Sequence, residues 1–349
     1  MMAASPEGNN GVRIEARAPT RIDLAGGTLD IWPLYLFHQP ALTLNVAIGL
    51  YAFCVVEAVG RSLEAQIVFH SRDTGRRERF GSLAGLERAR RYRLPLLAEL
   101  VKYFRPRGGL RLTTNSQAPA GAGIGGSSAM AVAICAALDR LTGAGHSRLE
   151  WIHISRDVEC KVIGVPTGTQ DHYPPAFGGV AAIHLETGTE WREALCTDAR
   201  ELERRLMLCY TGKPRQSGIN NWEVTRAHIE GDRRVWQNLE RIAQVARVMK
   251  PALERHDWRE VARLMREEWE FRRRNLPTIS TPMMDRIISA ARRSGALAGK
   301  VCGAGGGGCV VLLIEPEARP RVEAAVREAG GEILPVRIDR RGVQIWVSR

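Results

Sequence analysis

Pro119-Ala120-Gly121-Ala122-Gly123-Ile124-Gly125-Gly126-Ser127-Ser128, running straight into the alanine- and leucine-rich residues 129–141, is the stretch from which the fold is read. Residues 110–114 ahead of it have strand character, and residues 129–141 carry apolar side chains on all sides, as a buried helix does. A strand, a glycine loop and a helix in that order bring free backbone N–H groups and the positive end of a helix dipole to one point. That is the chemistry of a phosphate site. Its candidate residues are Pro119, Gly121, Ala122, Gly123, Ile124, Gly125, Gly126, Ser127 and Ser128. One serine would suffice to cap the helix, so the glycines need another explanation, and close approach of a phosphate supplies it. Gly121, Gly123 and Gly126 also fit the spacing of the dinucleotide fingerprint, but no acidic residue follows about twenty positions on at a second strand. The lysine of the G-x-x-x-x-G-K-S/T loop is missing as well.

Downstream, Glu159 is followed by Gly164-Val165-Pro166-Thr167-Gly168-Thr169-Gln170-Asp171. A carboxylate on a helix (148–163) and another beyond a Gly/Pro loop can converge on one metal-phosphate centre. There Glu159 and a loop serine, Ser127 or Ser128, offer oxygen ligands to Mg²⁺, while Asp171 orients or deprotonates a hydroxyl nucleophile. Upstream, the run 17–30 places Arg21 to neutralise charge near a transferred phosphoryl group. Asp30, with Gly27 and Thr28 beside it, is placed to accept hydrogen bonds from sugar hydroxyls. Trp32 has two readings, stacking on a sugar and packing in the core, and the core is the expected one. Lys300-Val301-Cys302-Gly303-Ala304-Gly305-Gly306-Gly307-Gly308-Cys309 is a third glycine loop, read as approaching a ligand through Gly305 and Gly306.

The rest of the chain sets the frame. Its 349 residues, 44% hydrophobic and 25% charged, are enough for two packed cores. No stretch nears the ~18 unbroken apolar residues of a membrane span, and residues 1–10 are polar, so a cytoplasmic protein with a disordered start and no membrane partner is expected. Seven scattered cysteines with no C-x-x-C pair read as reduced, buried thiols. The formal charge of +12 is spread along the chain, and its densest run, 72–93, is broken by Asp73, Glu78 and Glu87. That pattern indicates a solvated surface and no nucleic-acid partner, while still favouring an anionic small molecule such as ATP.

Strands are expected at 12–17, 41–57, 178–184, 204–211, 296–302, 309–315, 333–339 and 342–348, and helices at 148–163, 283–294 and 319–328. A long helical stretch, 222–274, should break at Lys250-Pro251. Antiparallel strands with helices on one face indicate α+β, and the polar segment 186–203 suggests two domains, 11–195 and 196–349.

Three motifs in this order, Ala18-Pro19-Thr20-Arg21 through Asp30, residues 119–129 and residues 300–309, make the chain resemble the GHMP kinase superfamily over nearly its whole length. The resemblance implies an N-terminal α/β domain with a left-handed β-α-β crossover, a C-terminal ferredoxin-like domain and an active site between them. It implies ATP and Mg²⁺ as cofactors, Ser127 and Glu159 as metal ligands, Asp171 as the catalytic aspartate and Arg21 as the cation beside the nucleophile. Residues 168–173 with 176–179 resemble the heptose-phosphate kinase and fucokinase branch, which points to Tyr173 and Arg215 as substrate residues. A sugar or sugar phosphate is therefore the expected partner, and a homodimer is compatible with the resemblance. Two departures stand out: Gly26-Gly27-Thr28-Leu29-Asp30 replaces three glycines followed by Thr-Asp, and Gly126 replaces a serine. The alternatives are a mevalonate-type kinase or related decarboxylase, and a binding protein of the same fold without catalysis.

Overall fold

A computed structural model describes residues 11–60, 65–214 and 218–348. The disorder expected for residues 1–10 and the substrate role expected for Arg215 fall outside them. The first lobe is built on β1 (Arg13–Ala25) and β2 (Ala41–Val59), which pair antiparallel along almost their full length. β2 is long enough to pair twice on its other side. Its second half pairs with β5 (Gly109–Ser116) and its first half with β6 (Val180–Glu186). β3 (Ile67–Ser71) runs parallel to β5 and carries β4 (Arg76–Phe80) at the edge, while β7 (Thr189–Ala194) closes against β6. β3, β4 and β7 are not expected from the sequence: β4 and β7 have charged, half-exposed faces without the apolar alternation that marks a strand, and β3 is only five residues long.

Two short helices, α1 (Leu83–Arg88) and α2 (Pro95–Phe104), connect β4 to β5. The phosphate-loop helix, α3 (Gly126–Thr142), packs on β1 and β2 and is buried from Ser128 to Asp139, which is why it needs apolar residues on every side. It is flanked by α4 (Arg148–Ile163), which opens with a reciprocal Ser147–Glu150 capping box, and by α5 (Tyr173–Phe177).

The second lobe begins with α6 (Ala199–Arg205) and β8 (Leu206–Tyr210). Three long helices follow: α7 (Ile219–Ile229), α8 (Arg233–Glu254) and α9 (Trp258–Arg273). α10 (Pro282–Arg293), β9 (Ala296–Val301), β10 (Cys309–Ile314), α11 (Arg319–Glu328) and β11 (Glu332–Leu334) complete it. The sheet order β11-β8-β10-β9, antiparallel throughout, is the arrangement of a ferredoxin-like domain. α8 does not break at Lys250-Pro251 as expected. Proline in the last turn removes a single backbone bond, and burial of Ala252 and Leu253 holds that turn in place. The chain turns instead at His256, with φ of 57°, and restarts at Asp257, whose side chain accepts from the Glu260 N–H.

The last strand, β12 (Gln344–Ser348), departs from the division expected at 195/196. It pairs antiparallel with β1 at the edge of the first sheet, so the chain returns to the first lobe after building the second. A mixed core also joins the lobes: Ile22, Leu24 and Val46 from the first pack with Met249, Leu264, Met265 and Val311 from the second. Met265 is fully buried there. Met265→Ala is expected to cost about 3 kcal/mol of unfolding free energy, read as a lower midpoint in a urea titration.

Candidate active site

The phosphate loop is held by what surrounds it. Gly121, Gly123 and Gly125 take positive φ, which turns the chain three times before α3 starts at Gly126. Arg21 anchors the loop from β1: its backbone N–H donates to the Ile124 carbonyl (2.9 Å) and its Nη1 to the Gly123 carbonyl (2.9 Å). From the second lobe, the Cys309 N–H donates to the Ala122 carbonyl at 2.7 Å. The loop floors a cleft of about 470 Å³ that runs from Ser71, Asp73 and Arg93 past residues 118–128 to Glu159, Thr167, Asp171 and Asn221.

At the head of α3 the two serines differ. Ser127 is exposed to the cleft, while Ser128 is buried and donates to Glu159 Oε2 at 2.7 Å. His172 Nε2 lies 3.1 Å from the same oxygen. Burial works to raise the Glu159 pKa, but the approach of His172 and the hydroxyls of Ser127 and Ser128 outweigh it and hold the carboxyl below its ordinary value. Glu159 therefore presents a fixed negative charge beside an exposed serine hydroxyl.

Across the cleft, Asp171 meets Arg21. Nε (2.8 Å) and Nη2 (2.6 Å) both donate to Oδ1, which leaves Oδ2 as the oxygen able to take a proton. A smaller pocket opens behind Asp171, lined by Arg21, Thr28, Asp30, Gly168, Gln170, Gly303 and Ala304 among others. Asp30 Oδ2 accepts from the Gln170 N–H at 2.9 Å. It sits so close to Gly168 that a Cβ there would lie 1.8 Å from Oδ2. Burial, reinforced by the neighbouring negative charge of Asp171, raises the Asp30 pKa from 3.8 to about 7.

Beneath both cavities lies a charge network with almost no exposure. Asp23 contacts Lys300 Nζ at 2.8 Å and Arg21 Nη1 at 3.2 Å, accepts from the Gly303 N–H at 2.9 Å, and has Arg272 3.9 Å away. Glu268 completes it, 3.2 Å from Lys300 and accepting from Arg272 Nε at 2.9 Å. Burial alone would raise the Asp23 pKa. Lys300, Arg21 and Arg272 override that and hold the carboxyl far below the ordinary range.

The family model for the GHMP kinases N terminal domain matches residues 92–179, and that for GHMP kinases C terminal matches residues 249–332. The mevalonate kinase of Thermococcus onnurineus (strain NA1) is 30% identical over 242 residues, 68% of this chain and 69% of its own length. The chain belongs to the GHMP kinases. Over a longer span, the D-glycero-alpha-D-manno-heptose 7-phosphate kinase of Campylobacter jejuni is 27% identical over 343 residues, 95% of this chain and 98% of that one. Among solved structures, a D-glycero-D-manno-heptose 1-phosphate kinase from Bacteriodes thetaiotaomicron superposes with a TM-score of 0.76 at 26% identity, covering 95% of this chain and 98% of that one.

This GHMP kinase brings Arg21, Asp30, Thr28 and Asp171 together, and sets Ser127 and Glu159 at the phosphate loop, where the motifs put them. Four expectations need correction. Tyr173 is 1% exposed, packs against Phe177 and points its hydroxyl at the Glu190 carbonyl, so it borders neither cavity. The Gly27 carbonyl accepts from Arg272 Nη2 at 3.0 Å, and Gly27 lines neither cavity. Gly305 and Gly306 approach protein, not ligand. The Gly306 N–H donates to the Ile279 carbonyl, and a Cβ on Gly305 would lie 2.3 Å from that oxygen. Gly308 is pressed likewise against Ala122, where a Cβ would stand 2.5 Å from the carbonyl oxygen. Gly305 and Gly306 thus allow close packing inside the second lobe, Gly308 lets the two lobes touch, and Gly303 and Ala304 are the ones that face the small pocket. Trp32, expected in the core, is 67% exposed.

Reading by motif passed over His172, Asp23, Lys300, Glu268, Arg272 and Asn221. Asp23 and Lys300 lay inside the quoted motifs. Glu268 and Arg272 stand at i,i+4 on the apolar side of α9, the available sign that this ion pair faces inward.

The raised Asp30 pKa has a stability consequence. Between pH 3.8 and about 7 the folded chain holds a proton that the unfolded chain releases, so this contribution is full at acid pH and is lost as pH rises through 7. Asp30→Asn, which keeps an acceptor for Gln170, is expected to match the wild type near pH 4 and exceed it by up to about 4 kcal/mol at pH 8. Denaturant titrations of both proteins at the two pH values check this; an unchanged gap would mean that Asp30 is ionised in the fold.

Proposed function

We propose that the protein transfers the γ-phosphoryl group of ATP, with Mg²⁺, to a hydroxyl of a sugar or sugar phosphate. The observation that carries this reading is the position of Asp171, on the wall of both the phosphate cleft and the small pocket behind it. A hydroxyl seated between Asp30 and Asp171 would face the end of a triphosphate lying along residues 119–128.

The residues present fit a magnesium ion. Ser127 and Glu159 offer hard oxygen donors next to the phosphate loop, and Glu159 is held ionised. When bound there, the ion would neutralise charge on the phosphate oxygens. The other steps belong to the chain itself. Backbone N–H groups of the loop and the start of α3 receive the phosphates. Asp171 Oδ2 accepts the proton of the acceptor hydroxyl, and Arg21 fixes the carboxylate through Oδ1 while adding positive charge near the transferred group. The buried sites impose positioning, which is most of what phosphoryl transfer requires.

Two observations support a sugar acceptor. The pocket holds two carboxyl groups, Asp30 and Asp171, which suit hydroxyls and disfavour a carboxylate such as that of mevalonate. The heptose-phosphate kinase match also extends along 95% of the chain.

ADP release with Mg-ATP and a panel of hexoses, heptoses, heptose phosphates and mevalonate tests the reading. Turnover is expected with a sugar or sugar phosphate; activity on mevalonate alone would overturn it. Asp171→Asn should lower kcat by about 10²-fold or more while ATP affinity stays near its original value. Glu159→Gln should shift the Mg²⁺ titration to higher concentration, and an unmoved titration would remove Glu159 from metal binding.

A further inference from the structure

Of the described residues around the two cavities, three border both: Thr167, Asp171 and Asn221. Thr167 and Asp171 come from the first lobe. Asn221 comes from the first turn of α7 and is the second lobe's group at this crossing.

Its neighbour explains how it is held there. Asn220 is buried, and its Nδ2 donates to the Ala304 carbonyl at 3.1 Å while its Oδ1 accepts from Thr278 Oγ1 at 2.8 Å. That side chain bolts the start of α7 to the third glycine loop and to the turn before α10. The adjacent Asn221 is thereby fixed, half-buried, at the cavity wall.

The orientation of its amide follows from a one-way chain of donors. Arg272 has only donors, and its Nη1 lies 3.4 Å from Thr28 Oγ1. The Thr28 hydroxyl oxygen accepts there, so its own proton is free to go to Asn221, whose Oδ1 is 3.3 Å away. The Oδ1 end of the amide is committed to Thr28, and the Nδ2 end is left toward the space that both cavities share. A neutral donor with two N–H groups therefore borders the same two cavities as Asp171, where the charge of a transferred phosphoryl group would spread over its oxygens.

We propose that Asn221 Nδ2 donates a hydrogen bond to a non-bridging oxygen of the phosphoryl group in flight, with Arg272 and Thr28 setting the amide's orientation. The proposal rests on the kinase reading above. It assigns to the second lobe a direct part in transition-state stabilisation. It also explains an uncharged group at this place: a second cation beside Arg21 would compete for Asp171, and a carboxylate would repel the phosphoryl oxygens.

Two substitutions separate donation from acceptance. Asn221→Asp keeps an acceptor for Thr28 but loses the donor, and Asn221→Ala loses both. Turnover is measured with the sugar or sugar phosphate that proves active. Binding of Mg-ADP is measured by calorimetry with and without aluminium fluoride, which mimics the planar phosphoryl group and needs no acceptor. Both variants are expected to melt near the wild-type temperature and to bind ADP within about twofold of it. Each should lose about 10²-fold in kcat, the aspartate more than the alanine, and at least about tenfold of the gain in affinity that aluminium fluoride gives. Near-normal kcat in Asn221→Asp would overturn the proposal, because the amide would then only accept from Thr28. So would a raised acceptor KM at unchanged kcat, which would assign Asn221 to sugar binding. A wild type that gains affinity from aluminium fluoride equally with both variants refutes the role of Asn221 alone. A wild type with neither turnover nor such a gain refutes the kinase reading itself, and the role of Asn221 with it.

Discussion

A single buried carboxylate organises this molecule. Asp23, with no exposed surface, sits among Lys300, Arg21 and Arg272 and receives the Gly303 N–H as well. An isolated charge in such a place would be prohibitive, so the group is tolerable only because three cations from two lobes converge on it. The converse holds too. Lys300 and Arg272, at 0% and 3% exposure, find their counter-charges in Asp23 and Glu268. Neither lobe can keep its half of this network without the other, which makes docking of the lobes a condition for burying the charges.

The active site inherits its precision from that network. Arg21 divides its donors among Asp23 below, Gly123 beside it and Asp171 in front, so the Asp171 carboxylate, the 119–128 loop and the charge cluster share one guanidinium. Arg272 has the same function on the acceptor side, where it spans Gly27, Thr28 and Gly303. Rigid, planar, donor-only groups suit this role because each fixes several acceptors at set angles. A lysine in either position would lack the planar fork that reaches acceptors on opposite sides.

How far the sequence discloses this depends on how local each feature is. The phosphate loop, α3, α4, α11 and the strands of the second sheet are legible because apolar periodicity, caps and glycine spacing are properties of adjacent residues. Helix α4, for example, runs over the residues expected, with Ser147 and Glu150 capping it. What escaped is long-range. Asp23 meets Lys300 277 positions away, and nothing near either residue announces the other. The third glycine loop was read correctly as a place of close approach, but its partner was wrong: Gly305 and Gly308 yield space to Ile279 and Ala122, backbone from elsewhere in the fold. Tyr173 departs from its expected role for the same reason, since Gln170 and Asp171 just before it line the small pocket while its ring turns into the core.

The pairing of β12 with β1 sets Arg13 against Ser348 and encloses the whole second lobe in one loop of chain closed by hydrogen bonds. Closing so large a ring carries a heavy entropic toll, so this edge should zip up only after both halves have taken shape. Once closed, it acts as a strap: fraying of either half pulls on a hydrogen-bonded seam shared with the other. Loss of structure should accordingly spread through the entire polypeptide as one cooperative event, without a surviving half.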